Sequence, residues 1–556
     1  MGQDAGDLPV GFPRLASAAS TLAPQPYLKE NSVVFRSPYP DVVIPELSIY
    51  DFLFGSISES DLERAAVTDG TTGVVVSYRE LIAQIDAVAG ALAAGGVGVG
   101  SVVALHSPNT PAFVAVFHGI LRAGATVTTI NALATAGDIV SQLTDSRATR
   151  LLTVSPLLPQ ALEASRRVGM QPDAVTVLDP TEGYRSFADL VAEKLPAPEV
   201  SFDPATHIAV LPYSSGTTGK PKGVMLTHRN LVANVAQAGP QIGVTPDDVV
   251  LAVLPFFHIY GMTVLLNLAL SARASLVTMP RFDLLEFLRI IQDHRCTFVF
   301  VAPPIALALA KHPVIDNYEL ASVRVIFSGA APLDEAVAGL AASRLGCQVI
   351  QGYGMTEMSP VSHAHDVARP ETPLGSVGLT IANVECRLVD PLTGEDIEVP
   401  ESGVSAPGEL LCRGPNIMIG YLGNEEATRE VLTSDGFLRT GDIATVSAEG
   451  YVTIVDRLKE LIKYKGYQVA PAELEALLLT HPLIADAAVI GVVDAEGEEV
   501  PKAFVVLQAA VELSEAEVIA FVAERVAPYK KVRQVEMIET IPKSSSGKIL
   551  RKDLRV

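Results

Sequence analysis

The run Tyr213-Ser214-Ser215-Gly216-Thr217-Thr218-Gly219-Lys220-Pro221-Lys222-Gly223 gathers two serines, two threonines, three glycines and two lysines. Glycine lets the backbone turn its N–H groups toward a common point. Successive N–H groups so turned make an anion-binding nest. The hydroxyls add donors and a lysine adds a point charge. The chemistry such a run can do is to hold phosphate. It is not a Gly-x4-Gly-Lys-Ser/Thr loop, because Pro221 follows Gly219-Lys220 and Ser214 stands where the first glycine belongs. A solvated Gly/Ser/Thr linker has a similar composition, but linkers seldom carry paired lysines beside apolar elements. The apolar run 208–211 before it reads as a buried strand and 231–235 after it as a helix. The spacing therefore predicts a phosphate cradle between strand and helix.

Four further stretches carry groups that could serve a phosphate site. Gln351-Gly352-Tyr353-Gly354-Met355-Thr356-Glu357 offers two glycines, a hydroxyl and a hard oxygen ligand. Mg²⁺ takes one or two carboxylates together with substrate phosphates, yet alone the stretch could be an ordinary turn. Thr440-Gly441-Asp442 reads as a turn in a β-rich segment; its carboxylate could accept two ribose hydroxyls or simply cap the turn. Phe256-Phe257-His258-Ile259-Tyr260-Gly261 follows an apolar strand and suggests a pocket wall, in which a lone histidine serves structure or chemistry equally well. Near the end, Pro542-Lys543-Ser544-Ser545-Ser546-Gly547-Lys548 sets a lysine on a Ser/Gly loop that can reach into another domain's site.

These groups need a scaffold of more than one core, since 556 residues exceed what one ordinary core encloses. An apolar content of 49% excludes general disorder. Strands at 102–105 and 151–154 alternate with helices at 81–92 and 111–121, and the alternation continues through 249–310. That pattern predicts an α/β fold with mostly parallel sheets. Segments 408–413 and 436–444 have the short-strand rhythm of a β-rich subdomain. From about 457 the character changes to a small α+β unit, with a helix at 472–479 and strands at 487–493 and 503–507. The expected division is a loosely held extension at 1–33, a large domain at 34–456 and a small mobile domain at 457–556. Small residues at Ser328-Gly329-Ala330-Ala331-Pro332, after the apolar strand 323–327, leave room for something flat.

The formal charge of −22 argues against nucleic acid as a partner. The tail 525–556 is the exception, with nine basic residues against three acidic. It is either a solvated tail or a basic end that meets a polyanionic small molecule. The uncharged window 87–105 is broken by glycines and reads as helix, turn and buried strand, not as a membrane span. The N-terminus lacks the pattern of a signal peptide, so a cytoplasmic location is expected. Cys296, Cys347, Cys386 and Cys412 are widely spaced, which implies neither a disulfide framework nor a zinc site.

Taken together and in order, the loop at 214–222, the Tyr-Gly-Met-Thr-Glu box at 353–357, Thr440-Gly441-Asp442, Asp456-Arg457 and Lys548 resemble the acyl-adenylate-forming superfamily. The resemblance spans nearly the whole chain from about residue 35. Within it, 257–261, 459–473 and 526–530 are most similar to 4-coumarate:CoA ligases, particularly bacterial cinnamate/4-coumarate:CoA ligases. The resemblance implies an enzyme with ATP, Mg²⁺ and coenzyme A, acting on a small carboxylic acid in two half-reactions. The carboxylate attacks the α-phosphate to give acyl-AMP and pyrophosphate; the CoA thiol then displaces AMP.

By motif match, Ser214, Ser215, Gly216, Thr217, Thr218 and Lys222 would hold the phosphates. Glu357 would bind the metal, Thr356 the α-phosphate, and Gln351, Gly352 and the backbone from Gly329 to Ala331 would border AMP. Asp442 would take the ribose with Arg457 beside it. Lys548 would bridge carboxylate and α-phosphate. Lys463 and Gln468, with the neighbouring Lys459, are matched to nucleotide contacts from the small domain, and Lys465 and Gly466 to CoA; Arg281 stands where the family has a lysine matched to CoA. The acyl pocket is matched to Ile259, Tyr260, Val264, Phe327, Ala330, Gly352, Gly354, Pro360, Val361 and Ser362, with His258 as gate or support. Several of these, Val264 and Phe327 above all, could equally be core. One geometry cannot serve both steps, so a hinge is expected at 456–459. Rival readings are a medium- or long-chain fatty-acyl or other aryl ligase, and a nucleotide-binding protein without catalysis.

Overall fold

The computed structural model describes residues 33–214, 221–465, 467–494, 498–508, 510–544 and 547–555. The extension 1–32 lies outside them. Among the described residues the strands form sheets of eight, nine, six, two and three strands.

The first sheet has a parallel centre, Arg150–Thr153, Val102–His106, Thr126–Thr129 and Ile208–Val210. A hairpin extends it. Strand β1 (Tyr213–Ser214) pairs antiparallel with β2 (Lys222–Thr227), Ser214 opposite Lys222, and β2 pairs back onto Ile208–Val210. Helix α1 (His228–Ile242) starts only after β2, entered through a Thr227/Asn230 capping box. This corrects the strand–loop–helix expectation. The described ends of the 213–223 run pair as two antiparallel strands, and the run does not open a helix. The run Lys222-Gly223-Val224-Met225-Leu226-Thr227 was the missed strand, and its pairing to a distant strand decides it.

The second sheet carries six parallel strands from Ala65–Asp69 to Gln348–Gly354. Phe298–Val301 is buried at every residue, as a parallel strand covered on both faces must be. It leads into α2 (Pro303–Lys311), whose first position is proline, the residue best suited to a helix start. Next come β3 (Val325–Ser328) and β4 (Gln348–Gly354). Between the first two sheets the helix Tyr78–Ala94, with a Ser77/Glu80 capping box, packs on Pro111–Arg122. The window 87–105 is the helix, glycine turn and strand expected, and no described helix is long and apolar enough to cross a membrane.

The third sheet is antiparallel. Strand β5 (Gly408–Arg413) pairs with β6 (Leu438–Val446), and β6 with β7 (Val452–Arg457). Thr440-Gly441-Asp442 is not a turn between strands. It is an irregularity inside β6, where the register against β5 jumps and Gly441 takes a φ of +68°. A bulge of this kind re-aims the next side chain. Cys386 and Cys412 also meet across this sheet, as free thiols with Sγ atoms 3.5 Å apart.

After β7 the chain forms a hairpin of β8 (Ile462–Tyr464) and β9 (Tyr467–Val469), then α3 (Pro471–Leu479). Ile462, Val469, Leu474, Leu478, Val489, Val505, Val518 and Val522 are buried together in a core separate from that of the preceding sheets.

Candidate active site

The residues matched to a nucleotide fall into two polar chains on the large part of the molecule. In the first, the β6 bulge delivers Asp442, almost fully buried, between two donors. Tyr353 on β4 donates its hydroxyl to Asp442 Oδ2 at 2.6 Å. Arg457, opposite Asp442 in the β6/β7 register, places Nε 3.2 Å from Oδ1. Thr440 Oγ1 accepts the Asp442 amide at 3.0 Å. A buried carboxylate held by a phenol and a guanidinium is fixed in position. Burial and the adjacent Asp442 push the Tyr353 hydroxyl far above its ordinary value, so it stays a donor.

In the second chain, Glu357 lies in the 3₁₀ turn Thr356–Met358 and is buried. Tyr421 donates its hydroxyl to Glu357 Oε1 at 2.8 Å, and the ammonium of Lys222 sits 4.8 Å over the centre of the Tyr421 ring. The cation–π contact holds the lysine that closes the hairpin over the ring whose hydroxyl serves Glu357. Ser215, Gly216, Thr217 and Thr218 lie outside the described residues, as does Gly466; Ser214 is placed by its pairing with Lys222.

Lys548 comes to this wall from the small part of the chain. Its amide donates to Ser544 Oγ at 3.2 Å and Ser544 returns a backbone bond to the Lys548 carbonyl at 2.8 Å, closing a tight loop. Burial, then the charge of Arg457, lowers the Lys548 ammonium to about 8, while Asp442 opposes the shift. Lys548 in turn acts on His258. Burial first, then the Lys548 charge, holds the imidazole down to about 4. His258 Nδ1 accepts the Tyr260 amide at 3.3 Å, so the proton of the neutral ring sits on Nε2. Asp442, Arg457, Lys548 and His258, spread over nearly 300 positions of sequence, thus share one field.

The residues matched to an acyl pocket are mostly buried: Ile259, Tyr260, Val264, Phe327, Pro360, Val361 and Ser362. Tyr260 opens a π-helical segment, Tyr260–Asn267, which also carries Val264. Its hydroxyl donates to the Phe327 carbonyl at 3.2 Å, and its ring meets Phe327 and Phe300 at centroid distances of 6.2 and 6.4 Å. The glycines here are set by the chain's own packing. A Cβ on Gly352 would lie 2.6 Å from Phe327 Cζ, one on Gly329 would lie 2.9 Å from the Tyr260 ring, and one on Gly354 would strike the Pro360 carbonyl. Gly354 and Ala330 are exposed, and Ala330 takes a left-handed φ of +72°. The Ser362 hydroxyl is engaged with His363 Nδ1 at 3.0 Å. Gln351 spends its side chain on backbone, bonding Leu333 through both its oxygen and its nitrogen and also the Leu374 carbonyl, so it shapes the site's border.

Other matched residues stand apart from these chains. Lys463, Lys465 and Gln468 are exposed on the β8/β9 hairpin, Lys465 with a left-handed φ of +48°. Arg281 and Lys459 are exposed in loops. Asp456, expected in the hinge, also accepts the Ala472 amide on its Oδ2 at 2.9 Å and so caps α3 from the preceding sheet. Two features are missing from the sequence reading: Tyr421, and the Glu475–Arg551 pair, with Arg551 Nη2 at 2.7 and 2.8 Å from the two carboxylate oxygens. All these contacts are long-range and leave no local pattern.

With fold and geometry in hand, the class is defined: the chain belongs to the AMP-binding enzyme family. That family's profile matches residues 57–422, and the profile for the AMP-binding enzyme C-terminal domain matches 473–548. Among curated relatives, 4-coumarate--CoA ligase 5 of Oryza sativa subsp. japonica is 42% identical over 532 residues, covering 94% of this chain and 97% of the relative. Among solved structures, the anthranilate CoA ligase AuaEII in complex with anthranoyl-AMP is 27% identical with a TM-score of 0.84, covering 92% of this chain and 97% of that one. ATP-bound MatB from Rhodopseudomonas palustris is 29% identical with a TM-score of 0.82, covering 91% and 98%; its apo structure, at the same identity and coverage, gives 0.73.

Proposed function

We propose that this chain is an ATP-dependent, AMP-forming carboxylate:CoA ligase for 4-coumarate- and cinnamate-type aromatic acids. Residues 34–456 form the adenylating lobe and 457–556 a mobile lobe hinged at 456–459. The observation that carries the reading is the seat of the Lys548 loop on the other lobe, Gly547 against Ala302 and Pro304, with Asp442, Arg457 and His258 in the field of Lys548. The higher likeness to the ATP-bound than to the apo form of MatB supports an adenylate-forming arrangement.

In the first step a carboxylate oxygen attacks the α-phosphorus and the bond to the β-phosphate oxygen breaks, releasing pyrophosphate. Two anions must be held together while charge builds on the phosphoryl oxygens, which positioned cations and donors allow. Lys548 bridges the acid and the α-phosphate, Thr356 donates to the latter, and Ser214 to Thr218 with Lys222 cradle the outer phosphates. Asp442, oriented by Tyr353 and Arg457, accepts the ribose hydroxyls. Magnesium fits the donor set. Among the described residues no cluster of three or more His, Cys, Asp or Glu could hold a metal alone. Glu357 is a buried single carboxylate steadied by Tyr421, which suits an ion that arrives on phosphate oxygens. When bound, that ion neutralises phosphate charge. In the second step the CoA sulfur attacks the acyl carbon, its proton leaves to solvent, and the bond to AMP breaks. The small lobe must first withdraw Lys548 and present 463–468, where Lys463 and Gln468 address the nucleotide and Lys465 with Gly466 address CoA.

The acid is chosen by apolar walls. Tyr260, Val264 and Phe327 with Gly352 suit a flat ring. CoA-dependent AMP release measured side by side on cinnamate, 4-coumarate, caffeate, benzoate and octanoate tests the assignment. The hydroxycinnamates and cinnamate are expected to lead, and a lead for octanoate or benzoate would overturn the substrate class.

A further inference from the structure

Helix α2 meets the small lobe at both of its ends. At its start, Gly547 in the Lys548 loop lies so close that a Cβ there would be 3.1 Å from Ala302 Cβ and 3.4 Å from Pro304 Cδ. At its last residue, Lys311 donates Nζ to the Leu479 carbonyl at 3.2 Å. Leu479 ends α3, so its carbonyl is one that the helix cannot pair internally. An ammonium at a helix C-terminus also meets the negative end of its dipole. The two contacts are separated by the nine residues of α2, about 13 Å at the α-helical rise. Two contacts that far apart fix an orientation, where one would leave a pivot.

The large lobe holds α2 rigidly for this purpose. Arg344 on the following helix donates to the carbonyls of Leu309 and Ala310 at 3.3 and 3.2 Å, and its guanidinium pairs with Asp316 at 2.7 Å. The last turn of α2 is thereby tied to its own lobe, and Lys311 is left to reach outward to α3.

Resting on the ligase reading above, we propose that Lys311 is a positioning residue. Together with the Ala302–Pro304 shelf under Gly547, it docks the small lobe with Lys548 in the cleft, and it lets go when the lobe turns for thioester formation. Lys311 touches neither substrate nor nucleotide. It biases which of two lobe orientations is populated, and a contact made in only one orientation shifts that balance.

The test separates the half-reactions in the full-length protein. Acid-dependent ATP–pyrophosphate exchange with 4-coumarate reports the docked orientation. CoA thioester formation from supplied coumaroyl-AMP reports the other. K311A is expected to lower exchange about threefold, the scale of one exposed cation at a helix C-terminus, and to leave the second half-reaction unchanged or slightly faster. K311E should lower exchange further, and K311R should restore it. Equal exchange in K311A and wild type, equal losses in both half-reactions, or no rescue by K311R would overturn the docking role alone. A wild-type chain without exchange on any acid of the panel overturns the ligase reading and the docking role with it.

Discussion

The wall that carries Asp442 and Glu357 and the hairpin that carries Lys463, Lys465 and Gln468 solve opposite problems. On the wall each charged group is already paired within the protein, Asp442 with Tyr353 and Arg457, and Glu357 with Tyr421. On the hairpin the three side chains are exposed and Lys465 sits in a left-handed turn. A site that must stabilise charge at the moment of reaction gains from groups that need no reorganisation. In the proposed two-step reaction, a surface that takes part in only one step cannot be locked into the other step's wall. Lys548 stands between these cases. It is buried with its pKa lowered to about 8, on a loop whose Gly547 lies against Ala302 and Pro304 of the large part of the chain.

The sharpest way to break this contrast is Lys548→Ala. Loss of one donor aimed at developing charge costs on the order of 10²–10³ in rate, and we expect it in pyrophosphate exchange alone. Thioester formation from supplied acyl-AMP should stay within about threefold, by the reasoning that a withdrawn group contributes little. Equal damage to both steps would merge the two regions into one. The pH dependence sharpens the point. A lysine is charged below its pKa, so exchange kcat/KM should fall as pH rises through about 8, and K548A should lack that limb.

Next in size, Arg551→Met should destabilise the small lobe by about 3 kcal/mol, the cost of orphaning one member of a buried pair. Burial already raises Glu475 to about 7 despite Arg551. Its folded-state pKa lies above the unfolded value, so its charged form penalises the fold. The loss in R551M, read by chemical denaturation, should therefore be larger at pH 8 than at pH 5.5. Lys465→Ala should slow CoA thioester formation about tenfold, the scale of one charge-assisted contact, and leave exchange untouched; a loss in exchange would place the hairpin in the adenylating site. The smallest effect is expected from Tyr421→Phe. It removes the donor to Glu357 but not the ring under Lys222, and should raise the KM for MgATP about fivefold, the scale of one hydrogen bond. An unchanged KM would show that the wall needs no internal pairing.

Much of this was legible in one dimension. The alternation of apolar strands and helices at 102–154 and 249–310 gave the layered α/β class, because hydrophobic periodicity is local. The helix at 471–479 and the strand at 408–413 fell where the sequence analysis put them, within a residue. Residue types able to serve phosphate and ribose are also visible in the sequence, since those groups demand particular donors and acceptors. What stayed hidden was pairing at long range. The run 222–227 became a strand only because Ile208–Val210 and Gly420–Tyr421 offer it partners. Thr440-Gly441-Asp442 reads as a turn because Gly and Asp favour turns locally, whereas the register with β5 makes it a bulge. The glycines at 329, 352 and 354 read as room for a ligand, and packing against Tyr260, Phe327 and Pro360 is what forbids a side chain there.

Which groups this protein owns, and the class of layers that carries them, follows from the amino-acid order, since residue type and short-range periodicity are properties of neighbours. Which groups meet follows from the folded chain alone: Tyr421 with Glu357 across 64 positions, Lys548 with Asp442 and His258, Lys311 with the end of α3. Those meetings depend on sheet register and lobe orientation, which are set by the sum of many distant contacts and by no single stretch of chain.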